Sequence, residues 1–209
     1  MLLGAQPATR LLDLACGQGW LTIPLAQRGF QVTGFDLSAA LLTHAEQAAS
    51  QASVTIEWVR GDMRHLPREW TDSFTLSEFG CFSSESDNQR VLDEVARVLK
   101  MGGRFLLDIV VNRDGLILRG ETRNCLEGDG FFVSEQGNLN LLSGIHKRVY
   151  QWYYQGQRYE TQWQIRAYTP PEVRQMLETA GLQVVAVYCN LMGDILTCDR
   201  MGMTSIAQK

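Results

Sequence analysis

Apolar and polar positions follow two different rhythms along the chain, and the first rhythm fills the N-terminal half. Short apolar runs of the strand type recur at residues 11–15, 30–36, 54–60, 73–79 and 104–111. Longer helical patterns separate them. Ser38 is placed to N-cap a helix that runs to about Gln51, and residues 86–100 carry one apolar stripe. This order predicts right-handed βαβ crossovers and a parallel sheet, whose ligands bind beyond the C-terminal strand ends.

The second rhythm is strand-like alternation without a convincing helix, from about Asn112 to Tyr168. Residues 159–167 place apolar and polar side chains on opposite faces, which predicts a half-buried antiparallel strand. A hairpin through residues 155–157 precedes it, with two registers left open. A helix then follows over residues 170–181, and two adjacent antiparallel strands end the chain.

Composition narrows the classes of function that the chain can serve. A net charge of −4 over 209 residues, with scattered Lys and Arg, makes a nucleic-acid partner unexpected. The five cysteines form no C-x-x-C pair and indicate reduced thiols in a cytoplasmic protein. The three histidines stand in no metal-ligand spacing, and no apolar run approaches the roughly 20 residues that span a bilayer. We therefore expect neither a metal nor a membrane partner.

A glycine turn with an acid beside it carries the main chemical signal. Asp13 ends the first predicted strand, Gly17 and Gly19 form the turn, and Asp36 ends the second strand. An acid in Asp36's place binds ribose hydroxyls in Rossmann-like sites, but the third glycine of the dinucleotide fingerprint is replaced by Thr22. Asp13 suits a cation better than a pyrophosphate. S-adenosylmethionine has that character, because it carries ribose and adenine without phosphate, plus an ammonium and a sulfonium.

Four motifs extend this signal in order: LLDLACGQG, VTGFDLS, VRGDM and ARVLKMGGRFLLD. With them the chain resembles the class I S-adenosylmethionine-dependent methyltransferases, from about Arg10 to Asp108 and again from Thr169 to the end. The resemblance implies an α/β fold, a doubly wound and mostly parallel seven-stranded sheet whose last strand is antiparallel. Residues 1–111 and 169–209 would then form the cofactor domain. Residues 112–168 would form an inserted antiparallel sheet, an acceptor or dimer region.

The same resemblance assigns the cofactor-binding residues. Asp13 would orient the methionyl amino group, Asp36 would bind the ribose hydroxyls, and Asp62 would accept a hydrogen bond from the adenine amino group. Three groups complete the site: the backbones of Ala15, Gly17 and Gly19 along the methionyl moiety, Leu37 and Met63 against adenine, and Ser77, Glu78 and Phe79 towards the methyl donor and the acceptor. Ala15 departs from the family because glycine is commoner there, and Met101 replaces a usual proline.

Simpler interpretations stand beside these assignments. Asp13 could cap the turn that follows it, and Asp36 could complement a helix dipole. Asp62 could belong to an ordinary Gly-Asp turn, and Glu78 could face solvent or close a salt bridge. Cys81 lacks a basic partner in the sequence, so we interpret it as a packed thiol and not as a nucleophile.

Function follows from the resemblance as S-adenosylmethionine-dependent N- or O-methylation of a small-molecule acceptor, with no catalytic residue identified. Positioning can supply most of such a rate, which leaves little trace in a sequence. The aromatic residues of the predicted hairpin are interpreted mainly as cross-strand pairs, core or a homodimer face. Two alternatives stay open: a non-catalytic S-adenosylmethionine-binding partner subunit, because few residues precede the first strand to form a lid, and an NAD(P)-dependent oxidoreductase.

Overall fold

Two β-sheets and five helices organise the part of the chain that the computed structural model describes, which is residues 8–70, 72–109, 111–120, 122–128 and 131–209. In chain order the elements are β1 (Arg10–Leu14), α1 (Thr22–Gln27), β2 (Gln31–Asp36), α2 (Ala39–Gln51), β3 (Glu57–Arg60), β4 (Asp72–Glu78), α3 (Glu85–Val98), β5 (Leu99–Ile109), α4 (Arg113–Arg119), β6 (Thr122–Gly128), β7 (Phe131–Asn140), β8 (Ile145–Tyr154), β9 (Gln157–Arg166), α5 (Pro170–Thr179), β10 (Gln183–Tyr188) and β11 (Met203–Gln208).

The larger sheet has seven strands in the order β10-β11-β5-β4-β1-β2-β3. Strands β1 to β5 pair in parallel, whereas β11 is antiparallel to both β10 and β5. The predicted α/β class is confirmed, and the two C-terminal strands are adjacent and antiparallel as expected. The parallel arrangement brings the C-terminal ends of β1, β2 and β5 to one edge of the sheet.

Side-chain alternation along β1 decides which face each of its residues serves. Leu12 and Leu14 pack into the largest core cluster, together with apolar residues of α3 and α5. Leu11 points to the opposite face, where it packs with Leu25 of α1. Because successive side chains in a strand alternate, Asp13 shares the face of Leu11. The acid is therefore directed to the α1 side of the sheet.

Side-chain caps fix where several helices begin. The N–H of Leu41 donates to Ser38 Oγ at 3.3 Å, which confirms Ser38 as the N-cap of α2. Helix α5 begins with a reciprocal capping box between Thr169 and Glu172, followed by prolines in its first turn. Among the described helices, none combines the length and apolar character that a membrane crossing requires.

The smaller sheet is fully antiparallel in the order β6-β7-β8-β9. A two-residue turn at Gln155 and Gly156, with φ of 50° and 76°, joins β8 to β9 and settles the register by pairing Tyr154 with Gln157. Two successive left-handed residues match the type I′ turn, whose twist suits a hairpin. Burial of β9 is confined to its C-terminal end, around Ile165. The expected half-burial of the whole strand is therefore wrong.

Helix α4 also lies inside the segment that was expected to lack helices. Asn112 caps it, since its Oδ1 accepts the N–H of Asp114 at 3.2 Å, and Gly120 follows its end with a φ of 69°. The helix is short and has Gly115 inside it, which hides the helical pattern. A Cβ at Gly115 would lie 2.3 Å from the carbonyl oxygen of Arg200, so a contact distant in sequence demands this glycine.

Candidate cofactor site

A cavity of about 330 Å³ opens at the C-terminal edge of the larger sheet. It lies where β1, β2 and β5 end, between the glycine turn and the start of α2. Its walls are formed by Asp13, Leu14, Ala15, Cys16, Gly17, Trp20, Leu21, Asp36, Leu41, Leu106 and Asp108. Four residues expected at a cofactor site from the sequence therefore line one cavity: Asp13, Ala15, Gly17 and Asp36.

The glycine turn reaches this position through left-handed backbone. Ala15, Gly17 and Gly19 have φ of 57°, 56° and 82°. Glycine adopts such values without strain, whereas an alanine does so at about 1–2 kcal/mol. At Gly19 a side chain would also collide, because a Cβ would lie 2.9 Å from the ring of Trp58. Ala15 thus holds a conformation that its family position normally gives to glycine.

Asp36 is held by backbone amides on both of its oxygens. The N–H of Gly17 donates to Oδ2 and the N–H of Ser38 donates to Oδ1, each at 2.8 Å. These bonds tie the end of β2 to the glycine turn and to the start of α2. An ionised carboxylate has about four acceptor positions, so two remain for a ligand. The geometry serves the helix start and a ligand site together.

Asp13 is buried against the beginning of α1. Thr22 Oγ1, which is itself fully buried, donates to Asp13 Oδ2 at 2.6 Å. Thr22 stands where the dinucleotide fingerprint has its third glycine. Its side chain therefore departs from that fingerprint, and it forms the hydrogen bond to Asp13. Asp13 anchors α1 and at the same time borders the cavity.

The thiol of Cys16 is buried in the wall of this cavity, close to Asp13 and Asp36. Burial, and to a smaller extent the negative charges of Asp13 and Asp36, raise its pKa to about 12. A thiol with such a pKa stays protonated at neutral pH and does not act as a nucleophile. Of these causes, the two carboxylates are the ones that also favour a cation in the cavity.

Asp108 is a cavity residue that the sequence interpretation missed. It ends the apolar part of β5, and Thr204 Oγ1 of β11 donates to its Oδ1 at 2.8 Å. Burial raises the pKa of Asp108, against the lowering effect of the Thr204 bond. The signal was present, because an acid at the end of a buried parallel strand is the same pattern that singled out Asp13 and Asp36.

Other predicted residues lie away from the cavity. Asp62 pairs with Arg64, whose Nη2 lies 2.6 Å from Oδ2, and the backbone N–H of Arg64 also donates to Asp62 at 2.9 Å. The Arg64 guanidinium lowers the pKa of Asp62. Among the described residues, Asp62 therefore serves the turn after β3, and the cavity walls do not include it. Met63 packs against the main core.

The predicted residues at the end of β4 are only partly described. The side chains of Ser77 and Glu78 lie outside the described part of the structure. Phe79 is almost fully buried, and its ring lies 5.3 Å from that of Tyr168. Phe79 is a core residue, and its place facing the acceptor stays a prediction. Cys81 is exposed, which corrects its interpretation as a packed thiol.

Leu37, Trp20 and Leu21 present apolar surface near the cavity. Leu37 follows Asp36 and is exposed, as a residue that packs on a planar base would be. Trp20 is 81% exposed, and Leu21 beside it is also exposed. Aromatic and aliphatic groups at a cavity mouth bury area when a ligand covers them. Sequence analysis had assigned a role only to Leu37.

The charge of the cavity lining suits a nucleoside that has no phosphate and carries positive charge. Three carboxylates line the cavity, and no basic side chain is among the described residues that do so. A pyrophosphate would meet these acids without a compensating charge, whereas a sulfonium and an ammonium would be attracted. Within the described residues no cluster of three or more His, Cys, Asp or Glu is arranged for a metal ion.

Comparison with known sequences finds methyltransferases that are similar to the N-terminal half of the chain. The methyltransferase-domain family matches residues 11–103, which contain the glycine turn and both of its acids. Over this segment the chain is similar to the methyltransferase-domain family. A protein of Geobacillus sp. (strain WCH70), described as a methyltransferase, is 37% identical over 111 residues, which is 51% of this chain and 44% of the relative. The 2-phytyl-1,4-naphtoquinone methyltransferase of Synechococcus elongatus is 41% identical over 107 residues, 48% of this chain and 45% of that enzyme. The similarity thus spans less than half of these relatives.

Solved structures share the fold of this chain over nearly its whole length. The CcbJ methyltransferase of Streptomyces caelestis superimposes with a TM-score of 0.88 at 21% identity, covering 99% of this chain and 85% of CcbJ. A S-adenosylmethionine-dependent methyltransferase of Clostridium acetobutylicum gives 0.84 at 19% identity, covering 95% and 83%. At such identities the likeness concerns the fold.

Proposed function

We propose that the chain is an S-adenosylmethionine-dependent methyltransferase that acts on a small-molecule acceptor. The proposal depends on the cavity at the glycine turn. Asp13, Asp36 and Asp108 line this cavity, and no basic side chain is among its described lining residues. The family match over residues 11–103 supports the same reaction class. The charge of the cavity selects S-adenosylmethionine over a dinucleotide.

Two of these acids have distinct parts in holding the cofactor. Asp36, oriented by the amides of Gly17 and Ser38, accepts hydrogen bonds from the ribose hydroxyls. Asp13, fixed by Thr22, attracts the methionyl ammonium. The backbone of residues 15–19 borders the methionyl chain. These residues would hold the cofactor, which would supply an electrophilic methyl group for the acceptor's lone pair and would keep the sulfur electron pair when the methyl group leaves.

The chain's own contribution to the rate is positioning. Well-oriented intramolecular partners reach effective molarities of about 10⁵–10⁸ M, which can account for much of a displacement that needs no covalent enzyme group. The protonated thiol of Cys16 is unsuited to a covalent route. The fixed carboxylates are suited to holding a ligand in one position, and the exposed Trp20 and Leu21 offer apolar surface that a ligand would cover.

A small acceptor, and nitrogen as its methylated atom, are favoured by named fold relatives. The structural neighbours include CalS10, an amino pentose methyltransferase of Micromonospora echinaspora, with a TM-score of 0.73, and KedS8, a sugar N-methyltransferase of Streptoalloteichus sp., with 0.72. A negatively charged chain agrees with a small and cationic acceptor better than with a nucleic acid. We extend the proposal accordingly to an amine-bearing metabolite.

Assembly and location complete the proposal. The smaller sheet exposes apolar side chains, among them Leu126, Phe131 and Tyr159, so a homodimer through this sheet is the expected assembly. Light scattering on the purified chain measures it. The free cysteines, three of them exposed, agree with a reducing, cytoplasmic location.

Thermal unfolding with candidate ligands tests the cofactor. S-adenosylhomocysteine at a hundredfold excess over its dissociation constant should stabilise the protein by about 2.7 kcal/mol, whereas NADP should leave it unchanged. Stabilisation by NADP alone would identify an oxidoreductase instead. Binding without methyl transfer to any member of a panel of small amines, together with a stable hetero-complex, would identify a non-catalytic subunit.

The variant Asp36→Ala tests the key residue of this site. Bonds to a charged acceptor are worth about 1.5–3 kcal/mol each, so losing them should weaken S-adenosylhomocysteine at least tenfold by calorimetry. The matched control is Asp93→Ala, which removes an exposed acid from α3 and should leave the affinity unchanged. Unchanged affinity in the Asp36 variant would remove Asp36 from the site.

A further inference from the structure

The three acids of the cavity are spread along the sheet in a fixed order. Asp36 ends β2, Asp13 lies on the neighbouring β1, and Asp108 lies on β5, with β4 between β1 and β5. Adjacent strands are about 4.8 Å apart, so β5 lies about 10 Å from β1 and about 14 Å from β2. Asp36 and Asp108 therefore mark opposite ends of the cavity.

The strand register places Asp108 on the same face as Asp13. Asp13 is level with Leu76 of β4, and Leu76 is level with Leu106 of β5. Asp108 follows Leu106 by two positions, which returns its side chain to the face of Leu106. Asp108 thus lies two residues closer to the C-terminal edge of the sheet than the level of Asp13, and it lines the same cavity.

The direction of a bound nucleoside follows from this order. With its ribose on Asp36, its base and its 5′ substituent extend to opposite sides. The family resemblance puts the adenine towards the end of β3, so the 5′ substituent runs past Asp13 on β1 towards β5. Since Asp13 takes the methionyl ammonium, the carboxylate that remains beyond it on this path is Asp108. This step rests on the proposed function.

The surroundings of Asp108 suit the binding of a cation. No basic side chain pairs with it among the described residues, and its hydrogen bond there comes from the neutral hydroxyl of Thr204. That bond fixes one oxygen and leaves the other for a ligand. Burial of a carboxylate without a countercharge is unfavourable, and a cationic ligand group would relieve it.

We propose that Asp108 binds positive charge at the methyl-donating end of the cofactor cavity and thereby orients an amine-bearing acceptor. The residue acts on the acceptor side, whereas Asp36 and Asp13 hold the cofactor. The substrate class that fits this arrangement is a small primary or secondary amine, which is attracted as its ammonium ion and is methylated once that ion has released a proton to solvent.

Sinefungin and S-adenosylhomocysteine test this assignment without knowledge of the acceptor. Sinefungin carries an ammonium where S-adenosylmethionine carries the transferable methyl group, and S-adenosylhomocysteine carries nothing there. In calorimetry, Asp108→Asn should weaken sinefungin at least tenfold and change S-adenosylhomocysteine less than threefold. The matched control Asp93→Asn should change neither affinity. The unchanged protein should bind sinefungin at least tenfold more tightly than S-adenosylhomocysteine.

Each contrary outcome has a definite meaning. Equal weakening of both ligands in Asp108→Asn would place Asp108 at the methionyl ammonium or in the strand structure, and would overturn the proposal. So would unchanged binding of sinefungin, or equal affinities of the two ligands for the unchanged protein, a comparison that needs no variant to fold. Failure of the unchanged protein to bind either nucleoside would instead reject the proposed function.

Discussion

The two sheets of this protein are stabilised in different ways. The seven-stranded sheet is covered on both faces: one core cluster packs it against α3 and α5, and another packs it against α1. The four-stranded sheet is largely open except at one end, where Leu139, Trp163 and Ile165 pack with Leu116 of α4.

Elsewhere in the four-stranded sheet, pairs between neighbouring strands contribute. Trp152 stacks on Tyr159 at 5.4 Å, and Arg148 Nη1 lies 2.8 Å from Glu135 Oε1. One sheet is held by burial and the other, away from that end, by cross-strand pairs.

This difference explains why ligand chemistry gathers on the larger sheet. A sheet buried on both faces keeps its strand ends rigid, so the acids at the ends of β1, β2 and β5 are held in defined positions. An open sheet with exposed aromatic residues offers area and shape instead. We therefore expect cofactor binding to tolerate changes in the smaller sheet better than changes in the larger one.

The largest expected contrast is in stability. Leu107→Ala removes a fully buried side chain from β5 and should lower the free energy of unfolding by about 2–5 kcal/mol. Leu126→Ala on β6, where the side chain is 62% exposed in the single chain, should change it by at most about 0.5 kcal/mol at protein concentrations that keep the chain monomeric. Urea unfolding measures both. Equal losses would show that the two sheets are equally buried in solution.

A buried histidine should make the smaller sheet sensitive to acid. Burial and the nearby Arg148 lower the pKa of His146 from 6.5 to about 4. Between these values the unfolded chain binds more protons than the folded one. The contribution to stability is thus complete above pH 6.5 and is lost as the pH falls to 4, by up to about 3 kcal/mol. Urea unfolding at several pH values should show this loss, and His146→Phe should remove it. The control His44→Gln, at an exposed position, should keep it.

A smaller effect concerns the stacked pair of the hairpin. Trp152 and Tyr159 lie directly opposite each other on β8 and β9, with an interplanar angle of 13°. A double-mutant cycle to alanine should give a coupling free energy of about 0.5–1.5 kcal/mol. The same cycle between Trp152 and Tyr188 of the larger sheet should give none. Absence of coupling in the first pair would argue against stabilisation by cross-strand stacking.

The smallest effect is expected in the glycine turn and has the opposite sign. Ala15→Gly should raise the free energy of unfolding by about 0.5–1 kcal/mol, because glycine adopts the left-handed φ of 57° without strain. Ala48→Gly within α2 should lower it by about 1 kcal/mol. A loss of stability in Ala15→Gly would mean that the alanine methyl group packs usefully in the cavity wall.

Much of the fold could be predicted because its signals are local. Apolar runs and helical stripes marked every strand and most helices of the larger sheet, and Ser38 marked the start of α2. Helix α4 was missed because Gly115, which a local interpretation takes as a helix breaker, is required by its contact with Arg200. The burial of β9 was misjudged because alternation shows which residues share a face and not whether anything covers that face.

The sequence by itself determined the pairing of a glycine turn with two acids, since residues 13–36 form consecutive elements whose order fixes their place. Tertiary structure decided the rest of the site. Asp108 lies at the cavity because β5 is two strands from β1 in the sheet, with β4 between them. Its side chain is held by Thr204, which is 96 positions away in the sequence. Phe79 packs in the core next to Tyr168, and Asp62 forms an ion pair with Arg64. These outcomes depend on competing partners in space, and residue spacing along the chain does not rank such partners.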